Sequence, residues 1–210
     1  MINPTIGVLT ISCVTTFVLS LLYKVTTDQE KIRKLNEELK ELNKKFKEAQ
    51  KNNNQKELLK LQGKLLEVNN EKMRISMKTT LISFAVIIPI FMYVLPTLYG
   101  DVSVELNEDL SGVVKYGSYE ANVKLLQESP VLMEIGDKKV GEKDVVLLGK
   151  DRFVFKAYDK NKKTLLLKRV VVTLPVPLPI WGYHIGWLGW YILVSIPMSV
   201  TFRKILGVVQ

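Results

Sequence analysis

Residues 79–100, TTLISFAVIIPIFMYVLPTLYG, run for twenty-two positions without a charged side chain. A bilayer core is about 30 Å thick and takes about 20 apolar residues at roughly 1.5 Å rise each, so this stretch is long enough to cross one. A soluble core helix would carry charge on its solvent face every turn or two, and this stretch carries none. The same is true of residues 4–23 and of the longest uncharged run, 170–202. The pattern predicts an α-helical integral membrane protein with three transmembrane helices, over residues 4–23, 79–99 and 180–202.

The first run is not read as a signal peptide. No basic residue precedes it, it exceeds the usual apolar core of about 7–15 residues, and its first positive charge, Lys24, lies at the far end. An uncleaved anchor with its N-terminus outside fits better. The lone cysteine, Cys13, sits inside this run, so no internal disulfide forms, and nothing in the composition points to redox or zinc chemistry.

Charge sets the orientation. Residues 24–78 hold 15 Lys/Arg against 9 Asp/Glu, and the 203–210 tail adds Arg203 and Lys204, whereas residues 100–180 hold 13 against 12. Lysine and arginine favour the cytoplasmic side, which places 24–78 and the tail inside, and the N-terminus and 100–176 outside.

Within 24–78, Ile32, Leu35, Leu39, Leu42, Phe46 and Ala49 recur at alternating spacings of three and four. A second seam, Leu58, Leu61, Leu65, Val68 and Ile75, follows Asn52, Asn53 and Asn54, residues that favour turns. The expectation is a cytoplasmic antiparallel coiled-coil hairpin. Its surplus positive charge suits ribosomal RNA or anionic lipid headgroups, with Arg74 and Lys78 at its base as candidate contacts together with Arg203 and Lys204. Met73 and Met77, four apart at the membrane boundary, are candidate contacts for an apolar substrate, although such residues more often simply pack.

From Asp101 the period becomes two, with candidate strands over 102–106, 112–116, 119–127, 131–135, 144–148, 153–158 and 164–174, a small extracytoplasmic all-β domain. It holds no catalytic constellation, and its glycines sit in turns. Pro175, Pro177 and Pro179 form a stiff connector, and Trp181, Tyr183, His184, Trp187 and Trp190 an interfacial aromatic belt. His184 is the only histidine, without a partner for a metal site.

The spans carry hydroxyls in a pattern. Thr5, Ser12, Thr16, Ser20 and Tyr23 share one face of the first, Thr79, Thr80 and Ser83 open the second, and Tyr191, Ser195 and Ser199 close the third at spacings of four. Hydroxyls can be interhelical glue, but glue need not favour one leaflet. A water-filled recess open to the cytoplasm would produce that bias. The candidate groove residues are Thr16, Ser20, Tyr23, Thr80, Ser83, Tyr191, Ser195 and Ser199, and Pro89, Pro96 and Pro197 would loosen the helices around it.

The chain resembles the YidC-like insertases, specifically their archaeal branch, related to the third subunit of the ER membrane protein complex. The order of spans and hairpin carries the likeness, and so does the stretch Gly186-Trp-Leu-Gly-Trp-Tyr-Ile-Leu leading to Ser195 and then to Phe202-Arg-Lys-Ile-Leu-Gly207. The resemblance implies a membrane insertase or chaperone in the cell membrane, without enzymatic chemistry, cofactor or small-molecule substrate. Its partners would be nascent membrane proteins and lipid, with the ribosome and a Sec translocon alongside, and its groove would pass short translocated tails. Bacterial members carry an arginine in that groove. Here no span holds a charge, which leaves the work to hydroxyls and water, and the β domain has no counterpart in the shared core. The rival reading is a membrane-anchored coiled-coil scaffold or sensor.

Overall fold

The computed structural model describes residues 3–128, 130–141, 144–180 and 182–208. Of the expected interfacial aromatics, Trp181 lies outside them. The chain folds as two compact units, one of Met1–Ser12 with Ile90–Val194 and the other of Cys13–Pro89 with Ser195–Gln210.

The second unit holds the hairpin and the adjoining helix segments. Helix α1 (Pro4–Thr26) ends just before Asp28, whose carboxylate accepts from the Lys31 N–H and caps α2 (Gln29–Lys51). Leu35, Leu42, Ala49, Leu61 and Val68 are the buried seam between α2 and α3 (Gln55–Pro89). The two helices run antiparallel: Thr27 meets Thr79, Lys31 meets Glu71 at 2.7 Å, and the Lys72 ammonium donates to Asn36 at 2.6 Å. Two of the turn's three asparagines, Asn53 and Asn54, have separate tasks. Asn53 takes the left-handed conformation (φ 51°), so that the Asn53 and Asn54 N–H groups donate back to Gln50 and Ala49. Asn54 then caps α3, bonding both the N–H and the carboxylate of Glu57.

Beyond Pro89 the helical run continues through one π-helical turn (Ile90–Val94) into α4 (Leu95–Tyr99). Proline has no N–H to give its helix, and Pro89 is placed where the hydrogen-bond register widens. By length and composition, Pro4–Thr26 and Gln55–Tyr99 are long and apolar enough to cross a membrane.

The first unit is built on a β-sandwich. Strands β1 (Val102–Glu105), β8 (Thr164–Val170), β7 (Asp151–Asp159) and β6 (Val145–Leu148) form one antiparallel sheet in that order. Strands β2 (Ser111–Tyr116), β3 (Tyr119–Glu128), β4 (Val131–Ile135) and β5 (Lys138–Gly141) form the other. Alternate residues of both sheets, among them Val114, Met133, Leu148, Phe153 and Leu165, make a single core. Three strands escape the sequence reading. β5 occupies part of what reads as a turn, and the expected strand over 164–174 divides at Val171 into β8 and β9 (Val172–Leu178). β9 contains Pro175 and Pro177 and pairs only with β10 (Gly182–Ile185), in an irregular ladder whose matched residues avoid both prolines. The expected proline connector is therefore half of a hairpin. Because β10 occupies residues 182–185, the helix expected from 180 begins only at Trp187, and α5 runs to Ile205.

Arg169 fastens the sandwich to the end of α4. It is 4% exposed, donates to the Leu98 carbonyl at 2.6 Å and to the Asp151 carboxylate at 2.8 Å, and lies between the Tyr99 and Tyr116 rings. Two charge-assisted bonds and two ring faces offset part of the desolvation of this guanidinium, whose Nε is buried without a hydrogen-bond partner.

Candidate functional site

A serine or threonine in an apolar helix has its own backbone within reach, because its hydroxyl can donate to the carbonyl one turn back. Ser20 donates to Thr16 at 2.8 Å, Ser83 to Thr79 at 2.8 Å, Thr80 to Ser76 at 3.0 Å and Ser199 to Ile196 at 3.1 Å. A hydroxyl has one hydrogen and two lone pairs. These four have spent the hydrogen on their own helix and keep acceptor oxygens, so the stripe is acceptor-rich.

Burial sorts the candidates. Thr16 and Ser20 are buried within the second unit, as is their neighbour Thr15, while Ser83, Ser195 and Ser199 are half-buried. Of the adjacent threonines it is Thr79 that turns inward, at 1% exposure, and Thr80 that is exposed. The Thr79 hydroxyl lies 3.0 Å from that of Thr26 and 2.8 Å from that of Thr27, joining the end of α1 to α3. Tyr191 belongs to the other unit. There it is buried with Val8, Leu95, Tyr99 and Val171, its ring 4.7 Å from that of Phe91 and edge-on to it.

The arginine at the end of α5 joins the site, which the sequence reading did not foresee. The helix extends past residue 202, so Arg203 stands inside its last turn, four residues beyond Ser199 and eight beyond Ser195. The spacing that links the two serines continues to it. Its guanidinium lies 5.2 Å from the centre of the Tyr23 ring, and its Nε is buried without a hydrogen-bond partner. Nearby on the same two helices, Phe17 and Phe202 meet edge to face at 5.4 Å. A guanidinium thus ends the face that Ser195 and Ser199 occupy, one residue beyond the 180–202 run that holds no charge. Lys204, by contrast, is exposed.

At the hairpin base Arg74 and Lys78 line a cleft of about 590 Å³ with Thr26, Asp28, Lys31, Glu67, Asn70, Glu71 and Ile75. Three carboxylates face three cations there, so the cleft has no strong bias toward anions. Met73 and Met77 are exposed on α3. Among the described residues no cluster of three His, Cys, Asp or Glu side chains is arranged to hold a metal.

Long apolar helices, a helical hairpin between them and hydroxyls buried along the helices define an integral membrane protein of helical type, with a β-rich region in its C-terminal half. Residues 1–113, more than half of the chain, match the family model described as integral membrane protein EMC3/TMCO1-like, and the chain belongs to that family. No curated protein and no solved structure matches it. Membership brings a general role connected with membrane-protein insertion, among client membrane proteins and in the setting of a membrane protein complex. The matched residues cover α1, the hairpin, the second apolar helix and the first sandwich strands. Most of the β domain and all of α5, including the 186–207 stretch that carries part of the resemblance, lie beyond them.

Proposed function

We propose that this protein helps apolar segments with short polar tails enter the membrane, by giving the tail a hydrated path along the hydroxyl stripe of the second unit. The observation that carries this reading is the burial of Thr15, Thr16 and Ser20 on α1, beside exposed apolar residues such as Val14, Phe17, Val18 and Leu21 on the same helix. A helix with one face for lipid and one lined with acceptor oxygens separates two solvents. Moving a polar group into hydrocarbon without a partner costs about 2–7 kcal/mol, and acceptor oxygens with water between them reduce that cost. The Arg203 guanidinium adds attraction for an acidic tail and repulsion for a basic one.

In this reading α5 is the third span, the hairpin and tail face the cytoplasm, and the hairpin is a coiled coil that meets the client before the membrane does. No bond is made or broken in the client, and release is sideways into lipid.

The test is insertion of a single-span client into proteoliposomes, scored by protease protection of its tail. Alanine at Thr16, Ser20, Ser83, Ser195 and Ser199 together should abolish insertion of a client with a charged tail. It should spare one whose tail is a few apolar residues. Undiminished insertion of the charged-tail client by a folded quintuple variant defeats the groove.

A further inference from the structure

Helix α3 has a face that its own hairpin does not use. Leu58, Leu61, Leu65, Val68 and Ile75 are turned to α2. The charged residues Lys56, Lys60, Lys64, Glu67, Glu71, Arg74 and Lys78 gather in a second sector of the helix, at 100° per residue. The remaining sector reads Leu59, Gln62, Gly63, Leu66, Asn69, Asn70, Met73, Ser76, Met77. It has no charge over five turns, about 27 Å of helix. Its large apolar members stand in the open: Leu59 is 72% exposed and Met73 61%, with Leu66 and Met77 close behind. Helix α2 has no such face, since its positions outside the seam are crowded with lysine and glutamate.

We infer that this face is the contact of α3 with α3 of a second copy of the chain, the two helices lying side by side and parallel. Three features single out a second copy. Two copies in one membrane share an orientation, so a two-fold axis along the bilayer normal sets each residue of α3 beside its own counterpart. Under that symmetry any charge on the face would meet its like, and this face has none. Leu59, Leu66 and Met73 recur at intervals of seven, the period at which parallel helices keep one seam in contact. Between them lie Gln62 and Asn69, whose amides carry donor and acceptor together and so can pair with themselves. Asparagine pairing with asparagine at a helical seam fixes a parallel register at a cost in stability. An apolar client would gain nothing from amides in the middle of its path. Half the seam is polar, so the contact is weak in solution, and confinement to one bilayer supplies the effective concentration that it needs.

The test uses the full chain in a lipid bilayer, with Cys13→Ser as background. Leu66→Cys, on the face, and Lys64→Cys, in the charged sector, are each exposed to a mild oxidant. Leu66→Cys should form a disulfide-linked dimer and Lys64→Cys should not. A Cβ at Gly63 meets nothing within 4 Å, so a side chain there leaves the single hairpin undisturbed. Gly63→Glu should lower the yield of Leu66→Cys dimer about tenfold, and Gly63→Lys likewise, because like charges are then opposed. Mixing the two variants should restore cross-linking between them. Three results would each overturn the inference: equal cross-linking at positions 64 and 66, a yield that neither Gly63→Glu nor Gly63→Lys alters, or linkage of Leu66→Cys to a bound client in place of a second copy. The readout involves no insertion step, so it stands or falls apart from the groove.

Discussion

At the scale of single residues, the fold turns on contacts that no periodicity announces. Gly7 reads as one more small residue in an apolar run, yet a Cβ there would overlap the Tyr99 hydroxyl and lie 2.8 Å from Cζ of the same ring. Gly7→Ala should therefore destabilise the first unit by about 1–3 kcal/mol, the usual cost of overpacking. Tyr99→Phe added to it should recover part of the loss, because the phenol oxygen is the nearest atom. Thermal unfolding in a fixed detergent checks both. Arg169 is equally silent in sequence, an alternating strand position with a bulky cation. Its meaning comes from groups 18 and 71 residues away, Asp151 and Leu98. Beside it the Tyr116 hydroxyl donates to Asp151 at 2.6 Å. Burial first, and then that hydrogen bond, push the Tyr116 phenol from its ordinary 10.0 up to about 12, against the opposing pull of the Arg169 guanidinium. The folded chain thus holds this proton more tightly than the unfolded chain does. The stabilisation is complete below about pH 10 and declines as pH rises toward about 12. Titration followed by tyrosinate absorbance should show one late phenol that is missing from Tyr116→Phe. If both proteins titrate alike, the contact is wrongly drawn.

At the scale of elements, legibility followed periodicity. The hairpin seam was readable because α2 and α3 bury what their spacing says they bury, with Leu35, Leu42, Leu61 and Val68 all inside. The three asparagines were readable as a turn, and their division of labour was not, since only geometry shows which one takes positive φ. Asn53 holds that place. Asn53→Val should cost about 1–2 kcal/mol in hairpin stability, as a β-branched side chain resists the left-handed region, while Asn53→Gly should cost nothing. Amide hydrogen exchange at the ends of α2 and α3 would show it as faster opening in the valine variant alone. Equal exchange in both variants would mean that the turn reads otherwise. The 164–174 strand and the 180–202 helix were misjudged at their edges for one reason. A bend at Val171 separates β8 from β9, which opens a hairpin with β10, and neither event changes the apolar composition on which the reading relied. α5 starts at Trp187 and continues to Ile205, past the expected end at 202, so Arg203 stands on the same helix as Ser195 and Ser199. Serines at a spacing of four, followed four residues on by arginine, were the available signal.

For the whole molecule, the proposed orientation in the bilayer depends on α5 crossing it. Its 19 residues give about 28 Å of helix, close to the thickness of a bilayer core, although Trp, Tyr, Ser and Pro make it less apolar than the other two. The charges nearest the three apolar runs on the hairpin side are Lys24, Arg74, Lys78, Arg203 and Lys204. On the sandwich side Arg169, which adjoins the 170–202 run, is paired with Asp151, and Lys168 beside it donates to the His184 carbonyl. Positive charge close to span ends holds a segment in the cytoplasm. Cysteines placed at Lys47 in α2, Lys138 in β5 and Lys204 near the end of α5, each in a Cys13→Ser background, convert this into accessibility. An impermeant maleimide applied from outside intact cells should label position 138 and leave 47 and 204 untouched until the membrane is opened. If 204 is labelled together with 138, α5 does not cross, Arg203 faces the wrong compartment, and the stripe it completes cannot serve a segment arriving from the cytoplasm. If 47 is labelled and 138 is not, the whole orientation is reversed. Protection of 47 and 204 together is the single pattern in which hairpin, serine stripe and guanidinium all face the side where membrane proteins are made.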